Sequence, residues 1–139
     1  MLNSDTTDLN NSKLLPEKPT IVIADDDQDI LDALKMMLEY HNFHVETIAD
    51  GTIIPRLKKI RPKLLLLDIY MSGTDGRVVC KELKSNIATR DIPVIMISAS
   101  YELKKSTKQA GANDYLEKPF EMEDLLTKIG KYLPQSLMN

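Results

Sequence analysis

Residues 21–27 read IVIADDD, and residues 64–68 read LLLLD. Each is a short apolar run that stops at an acid. Ile21-Val22-Ile23-Ala24 shows no polar alternation, as expected of a strand buried on both faces of a sheet. Leu64 to Leu67 reads the same way, and PVIMISA at 93–99 is a third such run. Tyr115-Leu116-Glu117 is a short strand leading into Lys118-Pro119. Phe43 to Ala49 alternates weakly and ends at Asp50-Gly51, a turn signal. Between these runs, apolar residues recur at helical spacing. Asp29 to Tyr40 carries Ile30, Leu31, Leu34, Met37 and Leu38. Ile53 to Ile60 places Pro55 in its first turn, where proline is tolerated. Arg77 to Ser85 directs Val78, Val79 and Leu83 inward, and Leu103 to Ala110 is closed by Gly111. Met122 to Tyr132 carries Leu125, Leu126 and Ile129. Five strands alternating with five helices predict parallel strands joined by crossover helices, hence an α/β layered domain.

The 139 residues amount to one domain. With 42% apolar residues and a net charge of −3, the chain can build a core without staples and lacks the charge imbalance of a disordered one. That charge leaves no electrostatic footprint for nucleic acid. The single cysteine, Cys80, excludes an intramolecular disulfide and a cysteine-based zinc site. His41 and His44, the two histidines, have no partners that would complete a transition-metal site. No run approaches the ~20 apolar residues of a membrane span, and the N-terminus does not have the form of a signal peptide. The expectation is a soluble cytoplasmic protein. Residues 1–19, rich in Asn, Ser, Thr and Asp with Pro16 and Pro19, read as a polar arm or linker, 20–133 as the folded domain, and 134–139 as a tail.

The predicted strand ends carry the chemistry. They bear Asp25 and Asp26, Asp68, Ser98 and Lys118. An open parallel sheet binds its ligands beyond the carboxyl ends of its strands, so these side chains are expected at one edge. Three carboxylates together repel one another. A hard divalent cation relieves that repulsion, and Mg²⁺ takes oxygen ligands of this kind alongside phosphate. Lys118 adds an ammonium and Ser98 a hydroxyl donor. A cation, an ammonium and a hydroxyl around one carboxylate describe a site for phosphoryl transfer, with Asp68 as the nucleophile. Asp27 and Asp29 are read instead as helix-capping residues.

Four segments, IVIADDD (21–27), LLLLDIYMSGTDG (64–76), VIMISA (94–99) and YLEKPF (115–120), occur in this order with helix-length spacers. Together they resemble the receiver domain of two-component response regulators, over nearly all of residues 20–133. The resemblance implies a flavodoxin-like (βα)5 three-layer domain with a parallel five-stranded sheet in the order 2-1-3-4-5. It implies that Asp68 accepts a phosphoryl group from a histidine kinase or histidine phosphotransfer protein, and that the module is not an enzyme in its own right. Mg²⁺ would be held by Asp25, Asp26, Asp68 and the backbone carbonyl of Tyr70. Ser98 and Lys118 would bind the phosphoryl oxygens, and Tyr115 would be an aromatic switch responding to Ser98. The Lys118-Pro119 bond would be cis. The sequence departs from the family where Ser72 replaces a usual proline, which is expected to loosen that loop, and where Thr74 replaces an apolar residue. The Tyr70 side chain is left free to shield an acyl phosphate from water.

The switched surface, on the last two helices and the last strand, would act on a downstream protein or a fused output domain, and it leaves room for a homodimer. A Mg²⁺-dependent phosphohydrolase with an aspartyl-phosphate intermediate is the alternative. Such enzymes usually carry a second acid two residues past the first, where this chain has Tyr70. A flavodoxin-like cofactor binder is disfavoured, because Asp25-Asp26-Asp27 would repel a phosphate at the first strand. The chain also reads as a receiver cut from a larger regulator or hybrid kinase.

Overall fold

A computed structural model describes residues 18–133; the expected tail at 134–139 and all but the end of the expected arm lie outside the described residues. The chain runs β1 (Thr20–Ala24), α1 (Gln28–Tyr40), β2 (His44–Ile48), α2 (Ile53–Ile60), β3 (Leu64–Asp68), β4 (Tyr70–Met71), β5 (Thr74–Asp75), α3 (Gly76–Ser85), β6 (Val94–Ser98), α4 (Leu103–Ala110), β7 (Asp114–Glu117) and α5 (Met122–Tyr132). Five strands form one parallel sheet in the order β2-β1-β3-β6-β7. This is the expected 2-1-3-4-5 order, once the two-residue hairpin β4-β5 is counted separately. The hairpin is the one departure from strict alternation. Its strands are too short to carry a periodic signal in sequence.

The continuous apolar runs follow from a sheet covered on both faces. In β3, Leu65 and Leu67 pack with Val22, Val94 and Met96 against Ile53, Leu57, Val79, Cys80, Leu83 and Leu103 of α2, α3 and α4. Leu64 and Leu66 point the other way, with Ile21, Ile23, Ile95 and Ile97, against Leu31, Leu34 and Leu38 of α1 and Leu125 and Ile129 of α5. The period-two alternation of a strand thus divides four consecutive leucines between two cores. Among the described residues, no helix is long and apolar enough to cross a membrane.

Two helix faces differ from the sequence reading. Val78, expected inward, is 54% exposed, and Met37, one of the apolar residues at helical spacing on α1, is 41% exposed. On α3 the buried stripe is Val79, Cys80 and Leu83, and Val78 lies about 100° around the helix from Val79. On α1 the stripe Leu31, Leu34, Leu38 leaves Met37 at its margin.

Two helices, α1 and α3, are capped by acids. Asp27 accepts from the Asp29 and Ile30 backbone N–H groups at 3.0 and 3.4 Å, capping α1. Asp75 accepts from the Arg77 N–H at 2.9 Å and caps α3. Asp29 lies in the first turn of α1, where a negative charge favours the helix dipole. Gly111 ends α4 in the left-handed conformation, φ 79°. The Lys118-Pro119 peptide is cis.

Gly76 opens α3 against the end of β3. Its N–H donates to the Ile69 carbonyl at 2.7 Å. A Cβ there would run into the Asp68 carbonyl oxygen and sit 2.9 Å from the Ile69 Cα, both fixed backbone. Gly76→Ala is therefore expected to displace the backbone that carries Asp68 and to cost about 2 kcal/mol, as overpacking does. Urea unfolding of the variant measures this; an unchanged midpoint would contradict it.

Candidate functional site

The sheet order reverses its direction of winding between β1 and β3, and the carboxyl ends of β1, β3, β6 and β7 meet at that edge. Asp25 follows β1 and is 4% exposed; Asp68 ends β3 and is 7% exposed. Asp26 is exposed beside them. One carboxylate oxygen from each of Asp25, Asp26 and Asp68 lies within 4.8 Å of the others.

Each acid is held differently. Asp25 accepts from the Asp27 N–H at 2.9 Å and from Lys118 Nζ at 2.9 Å. Lys118 follows β7, where its backbone N–H donates to the Ser98 carbonyl at 3.0 Å, which fixes where its side chain starts. Its Nζ also lies 3.8 Å from Asp68 Oδ1, so one ammonium serves two acids. Asp26 is held from the β4-β5 turn. The Ser72 N–H and Oγ donate to its Oδ2 at 2.7 and 2.8 Å, and these bonds hold its carboxyl below the usual range. At the position where the lost proline is expected to loosen the loop, Ser72 brings two donors that proline does not have.

Asp68 has the opposite electrostatics. Burial pushes its carboxyl up to about 6, and the neighbouring Asp25 charge adds to this; Lys118 and the Tyr70 backbone N–H pull it back only in part. The donor set, three clustered carboxylates with one of them poorly tolerated as an anion, fits a hard divalent cation.

Ser98 ends β6 at 1% exposure, one residue past the Asp68–Ile97 register pair. Its Oγ accepts from the Ser100 N–H at 3.1 Å, which leaves the hydroxyl proton to donate. The Tyr70 ring is 55% exposed, with the Arg77 guanidinium 5.6 Å from its centre. Arg77 in turn is fixed by a two-pronged pair to Asp75 at 3.0 and 2.8 Å. Tyr115 does not join the carboxylate cluster. It lies half-buried against the α2-α3-α4 side, with Lys128 Nζ 5.2 Å from its ring. Lys128 also pairs with Asp114 at 2.8 Å, and the Tyr132 hydroxyl donates to the same carboxylate at 3.0 Å.

Asp25, Asp26, Asp68 and Lys118 are thus brought together, and Ser98 stands at the same edge. Sequence reasoning missed the Ser72 contact to Asp26 and the Lys128 contact to Tyr115. A Ser-Gly turn signals a bend but says nothing of a partner 46 residues away. Cys80 is fully buried, and burial raises its thiol to about 11, so it is a packing residue.

Residues 21–130 match the family model described as the response regulator receiver domain. The chain belongs to that family. It is 35% identical over 114 residues to the DNA-binding dual master transcriptional regulator RpaA of Synechocystis sp., covering 80% of this chain and 47% of that regulator. It is 34% identical over 112 residues to the response regulator MprA of Mycobacterium avium, covering 78% of this chain and 48% of MprA. The chain therefore spans about half the length of the curated relatives it matches. Among solved structures it resembles a response regulator from Chloroflexus aurantiacus, with TM-score 0.78, 30% identity, and 83% of this chain and 97% of that one covered. It is similar as well to the chemotaxis protein CheY4 of Vibrio cholerae, with TM-score 0.77, 27% identity, and 84% and 99% covered. This is a receiver domain, the signalling module of two-component systems, and the phosphohydrolase alternative is not favoured.

The raised Asp68 carboxyl has a consequence for receiver stability. Its folded value, about 6, lies above the ordinary 3.8, so between these values the folded state holds a proton that the unfolded chain has lost. Stability contributed by this group is present below pH ~4 and is lost as pH rises through 6. Asp68→Asn is expected to stabilise the metal-free protein at pH 7.5 by on the order of 2–3 kcal/mol, and by little at pH 4. Urea unfolding in EDTA at the two pH values tests this. An equal difference at both would show that the carboxylate is not strained.

Proposed function

We propose that Asp68 is the phosphoryl acceptor of this receiver. The supporting observation is a buried carboxyl, crowded by Asp25 and Asp26 yet within reach of the Lys118 ammonium, at the carboxyl edge of a parallel sheet. The donor is the phosphohistidine of a histidine kinase or histidine phosphotransfer protein. A carboxylate oxygen of Asp68 forms a bond to phosphorus as the bond to the donor imidazole breaks. The electron pair of that bond leaves with the imidazole, and the product is an acyl phosphate.

Asp25, Asp26, Asp68 and the Tyr70 backbone carbonyl would hold Mg²⁺, which supplies positive charge against the phosphoryl oxygens when bound. Lys118 already bridges Asp25 and Asp68, so a phosphoryl group on Asp68 arrives beside its ammonium. Lys118 then has a stronger anionic partner than the Asp25 carboxylate alone. Ser98 has its proton to donate to a phosphoryl oxygen, and movement of Ser98 toward it makes room for Tyr115 to turn inward from its half-buried place. The outcome is an altered surface on α4, β7 and α5, read by a downstream protein or by an output domain joined to this one. Each phosphoryl group is accepted once and then lost to water or passed on, which makes this a switch and not a turnover enzyme. The cytoplasm is its expected compartment.

Incubation of the full chain with acetyl phosphate and Mg²⁺, followed by intact-mass spectrometry, tests the proposal. One added phosphoryl group is expected on the wild type, and none on Asp68→Asn or without Mg²⁺. Sustained phosphate release with no adduct would contradict it and favour the hydrolase.

A further inference from the structure

Asp26 is the most exposed of the three clustered acids, and on the surface its side chain would sample several rotamers. It is not left to do so. The Ser72 N–H and hydroxyl both donate to the same oxygen, Oδ2, at 2.7 and 2.8 Å. Oδ1 is left free of this clamp. Ser72 sits in the turn between β4 and β5, two residues after Tyr70, with Tyr70 paired to Asp75 and Met71 to Thr74. The contact therefore joins the end of β1 to the loop that follows β3. It fixes the Asp26 carboxylate, and through the hairpin it restrains the Tyr70 backbone.

We infer that Ser72 is a positioning residue for the cation site, which sets the Asp26 carboxylate and the Tyr70 carbonyl before the ion arrives. This rests on the reading of Asp26 and Tyr70 as Mg²⁺ ligands. Partners that orient a ligand commonly matter to metal affinity although they do not touch the metal. Two opposed effects follow from the same bonds. The clamp removes rotational freedom that binding would otherwise have to remove, and it also draws electron density from the carboxylate. Both bonds fall on Oδ2, so the lone pairs of Oδ1 stay open to an ion, and orientation prevails.

The test is a Mg²⁺ titration of the full chain, followed by amide NMR shifts of residues 25–27 and 70–76, with the metal-free spectrum confirming that each variant is folded. Ser72→Ala removes the hydroxyl but keeps the N–H. It is expected to weaken Mg²⁺ binding about tenfold, the low end for loss of a residue that orients a ligand. Ser72→Thr restores the hydroxyl and should recover most of the affinity. Asp26→Asn separates the two readings. Loss of binding in Asp26→Asn with unchanged or tighter binding in Ser72→Ala overturns the role of Ser72 and leaves the site intact. Equal weakening in Ser72→Ala and Ser72→Thr also overturns it, since the hydroxyl would then not be the cause. Wild-type binding in Asp26→Asn overturns the ligand assignment, and the Ser72 inference falls with it.

Discussion

Lys118 and Asp25 meet at 2.9 Å, with Asp68 3.8 Å from the same ammonium, at an edge where three acids share one small space. Two like charges ~4 Å apart interact by about 4 kcal/mol at an effective dielectric near 20. One ammonium can offset only part of that repulsion. Three carboxylates and one ammonium leave two negative charges, which a divalent cation would balance. The imbalance falls hardest on Asp68, whose carboxyl is pushed up by burial and by the Asp25 charge, and whose contact with the Lys118 ammonium, at 3.8 Å, is longer than the 2.9 Å of Asp25. A poorly satisfied carboxylate beside an ammonium favours any event that brings compensating positive charge.

The fold exists in a form that holds this cluster together. Parallel strands deliver residues far apart in sequence to one edge, and register pairs such as Ala24–Leu67 and Asp68–Ile97 set their depth. The two cores, one on each face, bury the sheet so completely that its strand ends have little freedom to separate. Gly76 lets α3 begin directly against the backbone of Asp68, and Asp27 spends its carboxylate on the N-terminus of α1 and not on the site. Three adjacent acids in β1's exit thus divide into one paired with Lys118, one clamped by Ser72 and one helix cap.

Most of this was legible in sequence for physical reasons. Strands buried on both faces appear as unbroken apolar runs, so β1, β3 and β6 stand out, and helix periodicity locates α1 to α5 between them. Asp25, Asp26 and Asp68 stand out in the sequence because each lies at or just past the end of a strand. What escaped is what local pattern does not encode. Val78 and Met37 are surplus apolar residues next to the buried stripe, and spacing alone does not set helix phase to within one residue. The β4-β5 hairpin is too short for alternation. Ser72 finds Asp26, and Lys128 finds Tyr115, only through the assembled fold.

The strain on Asp68 is the point on which the account turns. The direct measurement is its own titration, followed through the side-chain carboxyl carbon by NMR in the metal-free protein, with Asp68→Asn identifying the resonance. A midpoint near 6 is expected. A midpoint at the ordinary carboxylate value would mean that Lys118 and solvent already satisfy all three acids, and would contradict the account.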